Sequence, residues 1–89
     1  MAKLYLEIIT PESSLIEEEV EIVEASGTLG EFGVLPGHIQ FFTTLEPGQI
    51  RYVKGGKTEL ITAQEGFAEV LNDKITLVLR SAELPKDKD

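Results

Sequence analysis

Apolar residues along this chain recur mostly at every second position. Leu4, Leu6 and Ile8 alternate with Tyr5, Glu7 and Ile9, and period-two patterning with β-branched content predicts a strand. Thr10-Pro11-Glu12-Ser13-Ser14 ends it, because proline cannot donate to a ladder and serine favours turns. Leu15 and Ile16 restart an extended segment. From Glu17 to Ala25 the glutamates favour helix by propensity. Yet Val20 and Ile22 alternate with Glu19 and Glu21, and the phase then slips by one residue to Val23 and Ala25. We read this stretch as a strand with a bulge, since a helix confined between Glu17 and the breaker Gly27 would be marginal alone.

Further strands are expected at Ile39–Leu45, Gln49–Val53, Thr58–Ala63, Phe67–Leu71 and Lys74–Arg80, the last with Ile75, Leu77 and Leu79 on one face. The separators are turn signals. In Glu46-Pro47-Gly48, proline before glycine suits the two central positions of a type II turn. Lys54-Gly55-Gly56-Lys57 reads as a hairpin turn, Gln64-Glu65-Gly66 as a break, and Asn72-Asp73 as another turn. Ser81–Asp89 is polar and expected to fray. About eight short strands with turn signals every eight to twelve residues or so predict a single all-β domain, a sandwich or flattened barrel.

Composition narrows the function. A domain of 89 residues buries only about 60–65% of the surface its unfolded chain exposes, so the core must come from aliphatic side chains packed between sheets. There is no cysteine and only one histidine. A disulfide or thiolate metal site is excluded, and zinc would need carboxylate or outside ligands. A net charge of −8, from 16 acidic and 8 basic residues, argues against non-specific nucleic-acid binding and against adsorption to an anionic membrane. The apolar runs are too short to cross a bilayer. The start, Met1-Ala2-Lys3-Leu4-Tyr5, lacks a secretory apolar segment, so a soluble intracellular protein is expected.

The least generic stretch is Gly30-Glu31-Phe32-Gly33-Val34-Leu35-Pro36-Gly37-His38. Glycine permits positive φ, here expected at Gly33, and proline fixes φ. The segment is read as a shaped loop and as the functional face of the domain. Phe32, Val34 and Leu35 could plug the core or meet a protein partner.

Other chemistry is poorly supported. Gly56-Lys57-Thr58 matches the end of a phosphate-binding loop, but Arg51 occupies the place of its first glycine and strand signals follow instead of a helix. Glu17, Glu18, Glu19, Glu21 and Glu24 could suggest a cation site, yet a strand splays alternate carboxylates to opposite faces. A solvated face or a protected sheet edge fits them better. His38 has no cysteine to activate, and Ser13, Ser14, Ser26 and Ser81 lie outside any nucleophile elbow. Gly30, Gly33 and Gly37 do not follow the dinucleotide pattern. No catalytic, cofactor-binding or metal residue is therefore expected, and the chain reads as an interaction module. The alternative is a small β-barrel with a ligand cavity, for which the aliphatic content leaves little interior room.

At this loop the chain resembles the epsilon subunit of bacterial F-type ATP synthases, called delta in mitochondria. The resemblance rests on the Gly-x-x-Gly-x-x-Pro-Gly-His pattern of Gly30 to His38, followed by Thr43-Thr44-Leu45 and Pro47-Gly48-Gln49-Ile50-Arg51. Leu6-Glu7-Ile8-Ile9-Thr10-Pro11-Glu12 is similar to the family's opening strand and turn. Gly66-Phe67-Ala68-Glu69-Val70 with Asp73-Lys74-Ile75-Thr76-Leu77 is similar to its late hairpin. The likeness spans residues 3–84, which sets the expected β-sandwich domain and leaves 85–89 as a polar tail.

The resemblance implies a ten-stranded β-sandwich in the central rotor stalk. Such a subunit binds gamma, rests on the c-subunit ring without entering the membrane, and couples proton flow to ATP synthesis at the cytoplasmic face of the inner membrane. By position, Gly30, Glu31, Phe32 and Gly33 match the c-ring contact, and Pro36, Gly37 and His38 the side towards gamma. Two departures stand out. Ile39-Gln40 replaces the family's usual Ala-Pro after the histidine. The family's C-terminal helical hairpin, which restrains ATP hydrolysis and in some members binds ATP, has no counterpart here. Neither property is carried over, and the isolated chain is expected neither to bind nor to hydrolyse ATP. A naturally short form and a piece of a longer protein both fit, with the lack of a tag leaning slightly towards the first.

Overall fold

A computed structural model describes residues 3–37 and 40–83, and every regular element among them is a β-strand. In chain order these are β1 (Leu4–Ile9), β2 (Ser14–Val20), β3 (Ile22–Gly27), β4 (Gly30–Val34), β5 (Phe41–Leu45), β6 (Gly48–Lys54), β7 (Lys57–Ala63), β8 (Gly66–Leu71), β9 (Lys74–Leu79) and β10 (Ala82–Glu83). All ten belong to one hydrogen-bonded sheet, which folds over on itself. One layer runs β4-β3-β6-β7-β10 and the other β5-β8-β9-β1-β2. The layers join where Gly27 of β3 pairs with Leu45 of β5. Pairing is antiparallel except for β1 with β9, which run parallel and tie the first strand to one of the last.

Alternation decides what is buried. Leu4, Leu6 and Ile8 from β1 and Ile75, Leu77 and Leu79 from β9 all point inward and are buried. Val20, Val23, Val34, Ile50, Tyr52, Ile61, Ala68 and Val70 complete the core from the other strands. Burial of such side chains is worth roughly 1.5–3 kcal/mol each, which is how a cysteine-free domain of this size holds together.

Several expectations need correction. The stretch from Glu17 to Ala25 is two strands and not one bulged strand. β2 pairs with β1, the backbone bends at Glu21, and β3 pairs with β6. The one-residue phase slip marks a change of layer: Ile16 and Val20 face the core before the bend, Val23 and Ala25 after it. Residues 30–34 form β4, because Glu31 and Gly33 alternate with inward-facing Phe32 and Val34. Gly33 has no positive φ; those values belong to Gly30 (130°) and Gly37 (85°). Gly48 also lacks a positive φ, so Pro47-Gly48 is not a type II turn, and Gly48 instead opens β6. Part of the expected polar tail is ordered, since Ala82 and Glu83 pair with Ala63 and Thr62. Backbone pairing outweighs side-chain polarity at that edge.

The glycine hairpin forms where the sequence places it. Gly55 and Gly56 both have positive φ, 60° and 78°, as a type I′ turn requires, and Lys54 pairs with Lys57 across it. Gly66 has a different reason to be glycine. A Cβ there would lie 2.0 Å from the Val78 carbonyl oxygen, so the β8–β9 pairing leaves no room for a side chain.

The seam between β2 and β6 carries polar contacts. Lys54 Nζ lies 2.6 Å from Glu18 Oε1, and the Tyr52 hydroxyl donates to Glu18 Oε2 at 3.4 Å. Burial pushes the Tyr52 phenol up from 10.0 to about 12, with the Glu18 and Glu59 carboxylates adding to it.

Two outcomes are expected. Leu77→Ala should destabilise the domain by about 2–5 kcal/mol, measured by denaturant melts, because Leu77 is fully buried. In a Tyr5→Phe background, spectrophotometric titration of Tyr52 should show a midpoint near 12. The folded phenol pKa is raised, so its contribution to stability is complete below the unfolded value of 10.0 and is lost as pH rises through about 12. Melting curves across that interval check the sign.

Candidate functional site

The motif of residues 30–38 divides into a strand and a turn. The β3–β4 hairpin closes tightly, with Gly27 paired to Gly30 and Ser26 to Glu31. Its tip carries Leu29, which is 97% exposed. Thr28 at the tip hydrogen-bonds through its hydroxyl to that of Thr44 at 2.8 Å, and its amide donates to the Thr44 carbonyl at 3.0 Å. These bonds fasten the hairpin to β5. Along β4, Gly30, Glu31 and Gly33 are exposed and Phe32 is half-buried. Phe32 packs on Phe41 with ring centroids 5.1 Å apart, and Val34 is fully buried.

The apolar residues of the motif therefore split between the two roles considered for them. Val34 belongs to the core and Phe32 packs against it, while Leu35 is 56% exposed. Pro36 and Gly37 turn the chain after β4, and the Gly37 amide donates to Asp73 Oδ1 at 2.7 Å. His38 and Ile39 lie outside the described residues. Of the residues matched to the c-ring contact, Gly30 and Glu31 lie open at the hairpin end of β4 and Gly33 lies open further along it, whereas Phe32 is committed to packing. Pro36 and Gly37, matched to gamma, sit beyond its other end.

β4 pairs only with β3 among the described strands, so its far edge is open, as edges used for recognition are. Beside it, on the outer face of the β4-β3-β6-β7 layer, is a trough of about 730 Å³ lined by Glu24, Ser26, Glu31, Gly33, Gln49, Arg51, Thr58 and Leu60 among others. Arg51 crosses from β6 to pair with Glu24 of β3. Both side chains are partly exposed, so the pair adds little stability, and among the described residues lining the trough Glu31 is the charged one without an ion pair. Sequence reasoning missed the trough because it arises from the register Glu24↔Arg51 and Glu24↔Gly33. The outward phase of those residues was the available signal.

Other candidates fall into structural roles. Gly56-Lys57-Thr58 is the end of the β6–β7 turn and the start of β7, and the Gly56 amide donates to the Glu21 carboxylate at 3.2 Å. Glu17 and Glu19 are exposed on β2. Among the described residues no group of three or more histidine, aspartate or glutamate side chains is placed to hold a metal ion. The crevice between the layers, lined by Ala25, Leu45, Ile50, Ala63 and Leu79 among others, does not admit a molecule the size of water. That packing speaks against a ligand cavity at this point of the core.

Comparison with known proteins gives a consistent result. An ATP synthase epsilon chain of Desulfosudis oleivorans is 47% identical over 87 residues, which cover 97% of this chain and 65% of the relative. The ATP synthase epsilon chain of Nitratidesulfovibrio vulgaris strain Miyazaki F is 46% identical over 86 residues, covering 97% and 64% respectively. This chain thus spans just under two thirds of the length of these curated relatives. Among solved structures, a chain in the Euglena gracilis mitochondrial ATP synthase assembly of OSCP, F1 and c-ring superposes with a TM-score of 0.88 at 26% identity. That match covers 94% of this chain and 54% of the other. Residues 3–85 match the family described as ATP synthase, Delta/Epsilon chain, beta-sandwich domain, and the chain belongs to that family.

Proposed function

We propose that this domain is a non-catalytic subunit, or part of one, in the central rotor stalk of an F-type ATP synthase, joining the gamma subunit to the c-ring. It acts from the cytoplasmic face of the inner membrane as a peripheral part of the complex, and so helps couple proton flow to ATP synthesis. The carrying observation is the layout of the family motif along β4. Glu31 stands exposed between two glycines near the hairpin tip, and Pro36-Gly37 turns beyond the opposite end. Three strand steps carry the chain from Glu31 to the end of β4 at Val34, roughly 10 Å at about 3.3 Å per residue, and the turn lies beyond. One contact set on a rigid strand and another just past its end suit a subunit held between two partners. The likeness to a chain from an assembly that contains the c-ring supports the same reading.

In this scheme Gly30, Glu31 and Gly33 face the polar loops of the c-ring, with Phe32 supporting them from the core side. Pro36, Gly37 and His38 face gamma. Rim charges act mainly on association rate and salt dependence. Glu31→Lys should therefore change folding stability by less than about 0.5 kcal/mol yet weaken proton-driven ATP synthesis in the reconstituted complex. His38→Ala should weaken binding to isolated gamma at least about fivefold, the loss of roughly 1 kcal/mol that sets the energetically important minority of interface residues apart. Pull-down with gamma and proton-pumping assays separate the two. Loss of gamma binding by Glu31→Lys but not by His38→Ala would reverse the assignment of the two ends.

A further inference from the structure

The turn after β4 is held by a residue remote in sequence. The Gly37 amide donates to Asp73 Oδ1 at 2.7 Å across 36 positions. Gly37 itself is exposed and a Cβ there would meet nothing within 4 Å, so packing does not fix it. Asp73, in contrast, is well anchored. It sits in the two-residue β8–β9 turn, where Asn72 and Asp73 have φ of 53° and 61°, a left-handed pair that Asn and Asp tolerate better than other side chains. Its carbonyl accepts the Tyr5 amide of β1 at 2.9 Å. The carboxylate is thus presented from a rigid corner made by β1, β8 and β9.

We propose that Asp73 is a positioning residue for the Leu35-Pro36-Gly37 turn, holding it in the shape that gamma recognises. The proposal rests on the assignment of that turn to the gamma contact. A carboxylate accepting a backbone amide is stronger than a neutral hydrogen bond, and an interface loop fixed before contact does not lose freedom on binding. Without Asp73 the turn keeps its sequence but not its preorganisation.

The test compares Asp73→Asn, which keeps an acceptor at the same place, with Asp73→Gly, which removes it without straining the positive φ. Amide hydrogen exchange of Gly37 is followed by NMR in the isolated chain, and affinity for purified gamma is measured by surface plasmon resonance, with His38→Ala as reference. The wild-type Gly37 amide should exchange more slowly than in an unstructured peptide. Asp73→Gly should accelerate that exchange and lower gamma affinity about tenfold, the scale of one hydrogen bond to a charged group. Asp73→Asn should fall between wild type and Asp73→Gly on both readouts, since its amide oxygen can still accept the Gly37 amide but without the charge. An unprotected Gly37 amide in the wild type, or unchanged exchange in Asp73→Gly, overturns the proposal. If His38→Ala weakens gamma binding but Asp73→Gly does not, the turn contacts gamma without needing Asp73. If exchange accelerates and neither variant alters gamma affinity, the gamma assignment itself fails.

Discussion

The architecture depends on one residue having no side chain. Gly27 ends β3 and pairs at the same point with Gly30 on one edge and Leu45 on the other. A Cβ at Gly27 would sit 3.2 Å from the Gly30 carbonyl oxygen, 3.2 Å from Thr43 Oγ1 and 3.4 Å from Phe32. A side chain there would be crowded on three sides, and its neighbours would have to give way by a few tenths of an ångström. That junction makes the ten strands a single sheet that doubles back on itself. The same junction places the exposed face of β4 beside the point where the layers meet, so the candidate site lies next to a closely packed corner of the fold.

The second corner is at Glu21, and it explains what was and was not legible in the sequence. Period-two alternation identified β1, β5 to β9 and their inward faces, with Leu4, Leu6, Ile8, Ile75, Leu77 and Leu79 as the clearest cases. A bend between layers looks, in one dimension, like a bulge: both shift the alternation by one residue. Only the partner strands tell them apart, and those are set by contacts distant in sequence, such as Ile22↔Val53. β4 was hidden for a related reason. Two glycines in five residues argue for a loop by propensity, whereas pairing with β3 and the anchoring of Phe32 and Val34 override it. β10 is too short for any pattern to show. At the site, Glu31 and the turn at Pro36-Gly37 stood out because glycine and proline mark them. Asp73 did not, because its role exists only through a bond to a residue 36 positions away.

Charge follows the same geometry. The chain carries 16 acidic residues, and several are engaged across strands: Glu18 with Lys54, Glu24 with Arg51, Glu7 with Lys74 and Glu65 with Arg80. Each pair is substantially exposed and contributes little to folding, but each removes a free charge from a defined face. Among the described residues, Glu17 and Glu19 on β2 have no ion pair, and their negative charge discourages pairing of that sheet edge with another chain. Glu31 differs from them in setting. It lies on an edge flanked by glycines, so the backbone beside it remains approachable.

This arrangement separates folding from recognition within five residues. On β4 the inward positions, Phe32 and Val34, tie the strand to the core, and the outward positions, Glu31 and Gly33, carry almost no packing. Because the side-chain period of a strand is two, neither set can shift register without exchanging places with the other. Core packing at Phe32 and Val34 therefore holds the Glu31 side chain outward, with only the Glu31 backbone paired, to Ser26. A partner that reads the outer positions meets a surface whose geometry is specified by residues it never touches. Substitutions there can tune an interface while leaving the fold intact, whereas changes at Phe32 or Val34 would disturb both. The turn that follows has no such inward anchor at Gly37. For that reason the structure supplies one from elsewhere, through the Asp73 carboxylate.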